Sequence, residues 1–364
     1  MSGGTPSRSH IEYWDKGSIP WIKIGNIKGK YVSTSDEYIT QAGLDGSSAK
    51  MLPKGTLLYT IFATLGEVGI LTIEACTNQA IAGISIKHND EISTDFLYYY
   101  LKSKKSYVNK IGRGVAQNNI NMSMLRALEV PVPNIAEQSR IVSVLDSVAS
   151  VVTIRQQQLE KLDELVKARF VELFGDPILN QKQFPVYRMD EVVEFQGGSQ
   201  PDKKFFEYEP TDDNIRLIQI RDYKTDKFIT YIPRAMAKRF CTADDIMIGR
   251  YGPPIFQILQ GIEGSFNVAL MKATPKKGNK EFVRQFLKQE CLLDYLEGMS
   301  KRTAGQDGIQ MDKLKAYPFP LPPVELQNQF EKFANQVDKS KVAVQKSLDE
   351  AQLLFDSLMQ QYFG

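Results

Sequence analysis

Long hydrogen-bond donors and amides lie in and beside the predicted turns of both halves of the 364-residue chain. Arginine and lysine can contact phosphates or pair with guanine, and asparagine and glutamine can satisfy adenine on two atoms at once. This chemistry suits recognition of a nucleic acid. The candidates are Arg8, Lys23, Asn26, Lys104, Lys105, Arg113, Gln117 and Asn118 in the first half, and Lys203, Lys204, Gln219, Arg221, Arg250, Tyr251, Lys301, Arg302 and Gln306 in the second. Any one of them alone could equally be an ordinary solvated side chain.

The histidines and acidic residues of the chain do not occur at the spacings typical of catalytic or metal sites. His10 and His88 are the two histidines, and neither lies near a cysteine or a carboxylate pair at ligand spacing. The acidic pairs 212–213 and 244–245 stand in turn-like contexts. There is no Gly-x-x-x-x-Gly-Lys-Ser/Thr motif for ATP, and "RYGPP" at 250–254 lacks the Asn or Asp of an adenine-methyltransferase motif. We therefore predict a non-catalytic chain with no cofactor and no metal site.

Cysteine usage and hydropathy indicate the compartment. Cys76, Cys241 and Cys291 are widely spaced and form no C-x-x-C, so they are predicted to be buried thiols. The apolar runs fall short of the roughly 20 residues that cross a bilayer, and the first residues have no signal-peptide pattern. The expectation is a cytoplasmic protein with no membrane partner. The formal net charge is only +2, but the positive excess falls in 1–134 and 176–323, which weakly favours polyanion-facing domains.

The chain contains an internal repeat. Three pairs of identical residues are each 189 positions apart: Gln117 and Gln306, Ile120 and Ile309, and Met122 and Met311. At the same separation, "VPVPNIAEQ" (130–138) falls on "FPLPPVELQ" (319–327). A duplication of about half the chain predicts two similarly built halves. The repeated glutamine has a structural alternative, because residues that read different sequences should differ between the copies.

Each repeat is predicted to contain a region of short strands and helices, followed by one long helix. Short β-branched runs between Gly, Pro and Asn/Asp clusters predict strands, interrupted by helical patches at 94–111 and 280–299. The seam residues predicted for the two long helices are Ile141, Leu145, Val148, Leu159, Leu162, Phe330, Val337, Leu348, Phe355 and Leu358. A helix of about 40 residues with so narrow an apolar stripe needs a partner, which favours an antiparallel coiled coil of the two. The alternative is that each helix packs on its own domain.

The predicted fold class is α+β: two mixed α/β domains joined by two long helices in an antiparallel coiled coil, with an internal pseudo-twofold duplication. The expected segments are a first domain at 1–134, a first helix at 135–175, a second domain at 176–323 and a second helix at 324–364. The second domain has "FPVYRMDEVVEFQ" (184–196) ahead of its Gly-Gly pair. The first domain is expected to lack a counterpart of that initial strand.

The order of these motifs resembles the specificity subunit of type I restriction-modification enzymes. The resemblance rests on "GGTP", "WIKIGNI" (21–27), Gln-x-x-Ile-x-Met and "VPVP-x-x-E-Q" before a long helix, all repeated, and covers essentially the whole chain. It implies two target-recognition domains, each reading half of a split double-stranded DNA target. The helices would be the spacer, which docks two methyltransferase subunits and, through them, restriction subunits. The alternatives are a coiled-coil scaffold that reads no DNA and a self-contained DNA methyltransferase.

Overall fold

A computed structural model of the chain describes residues 3–88, 90–112, 120–251, 255–300 and 309–364. The chain divides into two compact units. Unit 1 comprises Met1–Gln156 and Gln345–Gly364, and unit 2 comprises Gln157–Val344. Each unit therefore combines a globular region with parts of two long helices.

Unit 1 contains two small sheets and several short helices. Its strands are β1 (Ile19–Ile22), β2 (Tyr31–Val32), β3 (Tyr38–Ile39), β4 (Leu57–Thr60), β5 (Val68–Leu71), β6 (Cys76–Thr77) and β7 (Ile81–Ile84), and its helices are α1 (Gln41–Asp45), α2 (Thr94–Ser103), α3 (Lys105–Gly112), α4 (Met122–Arg126) and the first part of α5 (Ile135–Phe174). The sheet orders are β2-β5-β4-β7 and β3-β1-β6. All four residues of β4 are buried, as expected of a continuous apolar run bounded by turns. Ser93 caps α2 by accepting from the N–H of Phe96 at 3.1 Å.

Unit 2 contains a related but larger set of elements. Its strands are β8 (Val186–Arg188), β9 (Val193–Gly197), β10 (Asn214–Ile218), β11 (Tyr231–Pro233), β12 (Phe240–Cys241), β13 (Ile246–Gly249), β14 (Gln257–Gln260), β15 (Gly264–Phe266), β16 (Leu270–Pro275) and β17 (Pro318–Pro320), and its helices are α6 (Met189–Val192), α7 (Lys280–Leu287), α8 (Glu290–Ser300), α9 (Met311–Ala316) and part of α10 (Val324–Phe363). The sheet orders are β14-β13-β16-β9, β11-β10-β15-β12 and β17-β8. The strand β9 extends the sheet beyond β16, whereas in the described part of unit 1 the sheet ends at β7.

A parallel strand pair with an asparagine turn occurs in both units. In unit 1 β1 pairs with β6, and in unit 2 β10 pairs with β15. The N–H of Asn78 donates to the carbonyl of Ile22 at 3.1 Å, and that of Asn267 donates to Ile218 at 3.0 Å. Both asparagine side chains also accept from the N–H two residues later, at 3.1 Å. The two turns therefore fix the ends of β1 and β10 in the same way.

The helical patches differ from expectation, since each forms two helices. Lys104 ends α2 before α3 begins, and Lys288 ends α7 before α8 begins. Neither break contains proline or glycine, so helix propensity does not predict it. Packing decides it, because each pair covers its unit's core with residues from both helices, including Phe96 and Val108 in unit 1 and Phe282 and Leu292 in unit 2.

Within unit 1 the parts of α5 and α10 run antiparallel. The guanidinium carbon of Arg140 lies 5.8 Å from the ring centre of Tyr362. Further along α5, Arg155 Nε donates to Ser347 Oγ at 3.2 Å. The side chains of Ile141, Leu145 and Phe355 are buried, and Val148, Leu348 and Leu358 are partly buried. Phe355 also faces Tyr99 of α2 at a ring distance of 6.2 Å, so in this unit helix pairing and packing on the domain occur together.

Within unit 2 the same two helices again run antiparallel. Lys341 Nζ binds Asp163 Oδ1 at 2.6 Å, and the rings of Phe170 and Phe330 meet edge to face at 5.5 Å. Phe330 and Val337 are buried, while Leu159 and Leu162 are partly buried. Phe170 also stacks on Phe282 of α7 at 5.6 Å. In unit 2 the apolar face of α5 packs on both α10 and the globular region. It is therefore wider than the narrow apolar stripe of a two-helix coiled coil.

A buried glutamine joins the start of each long helix to its domain. Gln138 Oε1 accepts from the N–H of Ser93 at 2.9 Å, and its Nε2 donates to the carbonyls of Glu91 and Pro133, both at 2.7 Å. Gln327 Oε1 accepts from the N–H of Asn279 at 2.8 Å, and its Nε2 donates to Pro322 at 2.7 Å. Ser93 and Asn279 are the N-caps of α2 and α7. The glutamines therefore fix each long helix against its domain.

We expect Gln138→Leu and Gln327→Leu each to lower the free energy of unfolding by about 2 kcal/mol, because buried N–H and carbonyl groups lose their partners. Urea denaturation would measure the loss. Gln336→Leu, at an exposed position on α10, is the matched control and should change stability by less than about 0.5 kcal/mol. Equal stability of Gln327→Leu and the control would contradict the structural role.

Candidate nucleic-acid interface

Two of the candidate residues of unit 1, Lys23 and Asn26, lie at the end of β1. The strand runs into a short 3-10 turn, Ile24–Asn26. The N–H of Lys23 donates to Asn26 Oδ1 at 2.8 Å, which closes the turn, and Asn26 Nδ2 donates to Asp36 Oδ2 at 3.0 Å. Asn26 thus shapes the turn that presents Lys23.

Glu37 connects Lys23 to Arg8. Its Oε1 accepts from Lys23 Nζ and its Oε2 accepts from Arg8 Nη2. The hydrogen bond from Lys23 is the main cause that holds the pKa of the Glu37 carboxyl below its ordinary value; burial opposes the shift and Arg8 adds to it. The group is therefore a carboxylate at neutral pH. The carbonyl of Glu37 accepts from the N–H of Trp21 at 2.9 Å, so its backbone is fixed to β1.

Arg8 is held by aromatic stacking as well as by charge. Its guanidinium carbon lies 3.6 Å from the ring centre of Trp14 and 5.4 Å from that of Trp21. The Arg8 side chain is nevertheless 56% exposed. A stacked, exposed guanidinium is ordered in advance for a bidentate contact. We refer to Arg8, Lys23 and Glu37 as the β1 cluster.

Lys104 and Lys105 have partners at the junction of α2 and α3. Lys104 Nζ donates to the carbonyl of Phe363 at 2.6 Å, which satisfies an end group of α10. Lys105 Nζ binds Glu67 Oε1 at 2.5 Å. Both lysines have structural roles in unit 1, and the structure does not join them to the β1 cluster by any contact among the described residues.

Unit 2 has a similar turn at the end of β10. Its 3-10 turn, Ile220–Tyr223, is closed by Asp222, whose Oδ2 accepts from the N–H of Gln219 at 3.2 Å. Gln219 Nε2 and Arg221 Nη2 both donate to Thr230 Oγ1, at 3.1 and 3.2 Å. Burial raises the pKa of Asp222 above its ordinary value, against the opposing N–H of Gln219 and charge of Arg216. The turn is the counterpart of that in unit 1, with different side chains.

The remaining candidates of unit 2 are more dispersed. Lys203 and Lys204 are exposed in a 3-10 turn, where Lys204 Nζ lies 3.5 Å from Asp202. Arg250 Nη1 donates to the carbonyl of Val268 at 3.4 Å, and its guanidinium lies 5.4 Å from the ring of Tyr251, which is 48% exposed. Six further candidates lie outside the described residues: Arg113, Gln117, Asn118, Lys301, Arg302 and Gln306.

A half-buried ion pair, which the sequence did not indicate, ties the loop before β2 of unit 1 to α5. Lys30 Nζ binds Asp146 at 2.6 Å and Asp95 at 2.8 Å, with its own side chain 12% exposed. Tyr99 donates to the same Asp146 carboxylate. Burial alone would lower the pKa of Lys30, but the bonds to Asp146 and Asp95 outweigh it and raise that pKa. The segment between Lys23 and Glu37 is therefore anchored on α5.

We expect Asp146→Asn to lower the free energy of unfolding by about 1 kcal/mol, because Lys30 keeps only one full charge partner and Asp146 is itself partly exposed. The wild-type pair contributes fully below the unfolded-state lysine pKa of about 10.4 and loses its contribution as pH rises through the raised folded pKa. Thermal unfolding between pH 7 and 11 would test this. Asp349→Asn, an exposed control in the same unit, should leave stability unchanged at every pH.

Other kinds of site find little support in the described residues. In 3–88, 90–112, 120–251, 255–300 and 309–364, no group of three or more His, Cys, Asp or Glu side chains is arranged to hold a metal ion. Burial raises the pKa of Cys76 and of Cys241 to about 11, so both are unreactive thiols at neutral pH. None of the described helices is long and apolar enough to span a membrane.

Comparisons with known proteins agree on one family. The model of the type I restriction modification DNA specificity domain matches residues 1–164 and 181–351. The MjaIX specificity subunit of Methanocaldococcus jannaschii is 30% identical over 54% of this chain and 50% of its own length, and the EcoR124I/EcoR124II specificity subunit of Escherichia coli is 31% identical over 51% and 44%. The chain thus spans about half the length of these two relatives.

Solved structures show the same fold at low sequence identity. The S subunit of a type I restriction-modification system from M. genitalium covers 100% of this chain and 93% of its own, with a TM-score of 0.55 and 17% identity. A chain from a structure concerning complex assembly of the type I R-M system covers 100% and 94%, with a TM-score of 0.52 and 17% identity.

Proposed function

The chain belongs to the type I restriction modification DNA specificity family, and from that membership we propose that it is a non-catalytic subunit that reads a bipartite DNA target. Each unit would read one half-site. The observation that carries the proposal is the pair of capped turns at the ends of β1 and β10. Their backbones are alike, yet one offers Lys23 where the other offers Gln219. Two readers of different half-sites require such a shared scaffold with different donors.

We further propose that α5 and α10 form one antiparallel spacer whose length sets the unread gap between the half-sites. The antiparallel contacts within each unit, Arg155 with Ser347 and Asp163 with Lys341, support this. A rigid spacer would keep the gap at about one helical turn of DNA or less.

Exposed apolar side chains on the long helices support docking of methyltransferase subunits. Ile154 is 53% exposed and Leu353 72% exposed in unit 1, and Leu165 and Val342 are exposed in unit 2. Exposed apolar surface on a helix is suited to a protein partner. Because both units present it, we propose two methyltransferase subunits, with restriction subunits bound through them.

The decisive experiment is selection from a pool of randomised DNA duplexes by the chain assembled with its methyltransferase subunit. Sequencing of the retained duplexes should give two short conserved blocks separated by a gap of fixed length, and retention should fall steeply with salt. A coiled-coil scaffold would retain no DNA in this salt-dependent manner. If the purified chain alone bound S-adenosylmethionine in calorimetry, the proposed non-catalytic role would be wrong.

The repeated arginines before the long helices are expected to contact phosphate. Arg113→Ala and Arg302→Ala should each weaken binding roughly 3- to 10-fold, equally on target and random duplex, and reduce the salt slope by about one. Fluorescence anisotropy at several salt concentrations would measure both quantities. Lys50→Ala, at an exposed position of unit 1, is the control. Variants that bind both duplexes as wild type does would exclude the contact.

A further inference from the structure

The carboxylate of Glu37 forms salt bridges with two cationic side chains of unit 1 that are proposed to bind DNA. Lys23 and Arg8 donate to the two different oxygens of Glu37, and the Glu37 side chain is 28% exposed. In unit 2 Gln219, the counterpart of Lys23, donates instead to the neutral hydroxyl of Thr230, as does Arg221. The acidic partner is therefore a feature of the first turn and not of the shared scaffold.

We propose that Glu37 is a specificity-determining residue of unit 1, which suppresses binding to non-target DNA and favours a G·C base pair in the half-site that unit 1 reads. The inference rests on the proposed function and names the base chemistry of that same site.

The negative charge of Glu37 opposes contacts between unit 1 and DNA phosphates. A DNA phosphate that approaches Arg8 or Lys23 must displace the carboxylate already bound there, and it is repelled by that carboxylate if Glu37 stays in place. Contacts with phosphate are the same for every sequence. Glu37 therefore weakens the component of binding that carries no sequence information.

The edges of a G·C base pair complement the side chains of Arg8 and Glu37. A G·C pair presents guanine O6 and N7, which accept from arginine, and cytosine N4, which donates to a carboxylate. Arg8 and Glu37 together offer the complementary donors and acceptor. On this pair the carboxylate exchanges one donor for another and the arginine gains two acceptors. On an A·T pair the carboxylate can accept from adenine N6, but adenine offers the arginine only N7, so the two contacts are not both replaced.

The side chain of Glu37 can be changed without disturbing the turn. Its carbonyl, not its carboxylate, accepts from Trp21, and Asn26 closes the turn independently. Ion pairs this close to solvent contribute little to folding. Glu37→Gln should therefore fold as wild type does, and circular dichroism together with thermal unfolding would verify this.

The test uses the chain assembled with its methyltransferase subunit and a random duplex of about 30 base pairs. Glu37→Gln should bind this duplex about 3- to 10-fold more tightly than wild type, with a salt slope steeper by about one to two, because up to two cations are released to phosphate. Glu74→Gln removes the same charge from another exposed position of unit 1, and it should change affinity less than 2-fold. In an Arg8→Gln, Lys23→Gln background, Glu37→Gln should have no further effect.

Selection from the randomised pool supplies the specificity readout. Glu37→Gln should lose the preference for a G·C pair in one half-site and keep the other half-site unchanged, which serves as an internal control. Salt-dependent retention by wild type with the same slope and the same base preferences in Glu37→Gln would overturn the role of Glu37 alone. Absence of salt-dependent retention by wild type would overturn the proposed function, and the role of Glu37 with it.

Discussion

Phe330→Ala is expected to lower the free energy of unfolding by about 3 to 5 kcal/mol. Phe330 is 0% exposed and meets the rings of Phe170 at 5.5 Å and Phe174 at 5.6 Å, both on α5. Phe330 belongs to an aromatic cluster of unit 2 with Phe170, Phe174 and Phe282. Truncation removes its ring contacts and leaves a cavity that the other rings cannot fill. A loss of this size is a large fraction of the stability of a typical domain, so unit 2 should unfold well before unit 1 on heating.

Calorimetry of the full chain would measure this effect, with separate transitions expected in the variant. Val342→Ala is the matched control, because Val342 lies on the same helix and is 71% exposed. It should shift stability by less than about 0.5 kcal/mol. A Phe330→Ala protein that melts like the control would show that the aromatic cluster does not hold unit 2 together.

A heptad inserted into both long helices should abolish binding to the original target and create a preference for a longer gap. The insertion points are between residues 158 and 159 of α5 and between residues 344 and 345 of α10, between the contacts Arg155–Ser347 and Asp163–Lys341 of the two units. Seven residues add about 10.5 Å, or about three base pairs. With one half-site out of reach, affinity for the original target should fall at least about 100-fold.

Randomised-pool selection with this variant would measure the new gap directly. The control carries the same seven residues in α5 alone, which leaves the inserted turns without a paired segment and should reduce stability rather than select a longer gap. An unchanged gap in the double insertion would refute the proposed spacer, while leaving DNA reading by each unit intact.

Much of the fold was predictable because local patterns and tertiary packing agree. The narrow apolar stripes predicted long helices at 135–175 and 324–364, and the structure has Ile135–Phe174 and Val324–Phe363. Among the short β-branched runs predicted as strands, those at 56–63 and 214–220 contain β4 and β10. The resemblance to type I specificity subunits is confirmed by the family match over 1–164 and 181–351, and the mixed α/β content is confirmed by the same comparisons.

The candidate site was predictable by residue type but not by arrangement. Sequence patterns identified Arg8 and Lys23 as long donors near turns. They could not identify Glu37, because its contact with Arg8 spans 29 positions and depends on how β1 meets the segment before β3. Lys30 and Asp146 are 116 positions apart. Lys104 stays a predicted DNA contact, but the sequence could not indicate that its ammonium donates to the carbonyl of Phe363 on α10.

The sequence by itself determined the repeat, the two long helices and the family, because these depend on periodicity and on the order of short motifs along the chain. Only the tertiary structure decided what each polar side chain does. Gln138 and Gln327 belong to the same repeat as Gln117 and Gln306, but burial against the N-caps of α2 and α7 is what makes them structural. Charge pairing and burial depend on distances through space, and no spacing along the sequence encodes those distances.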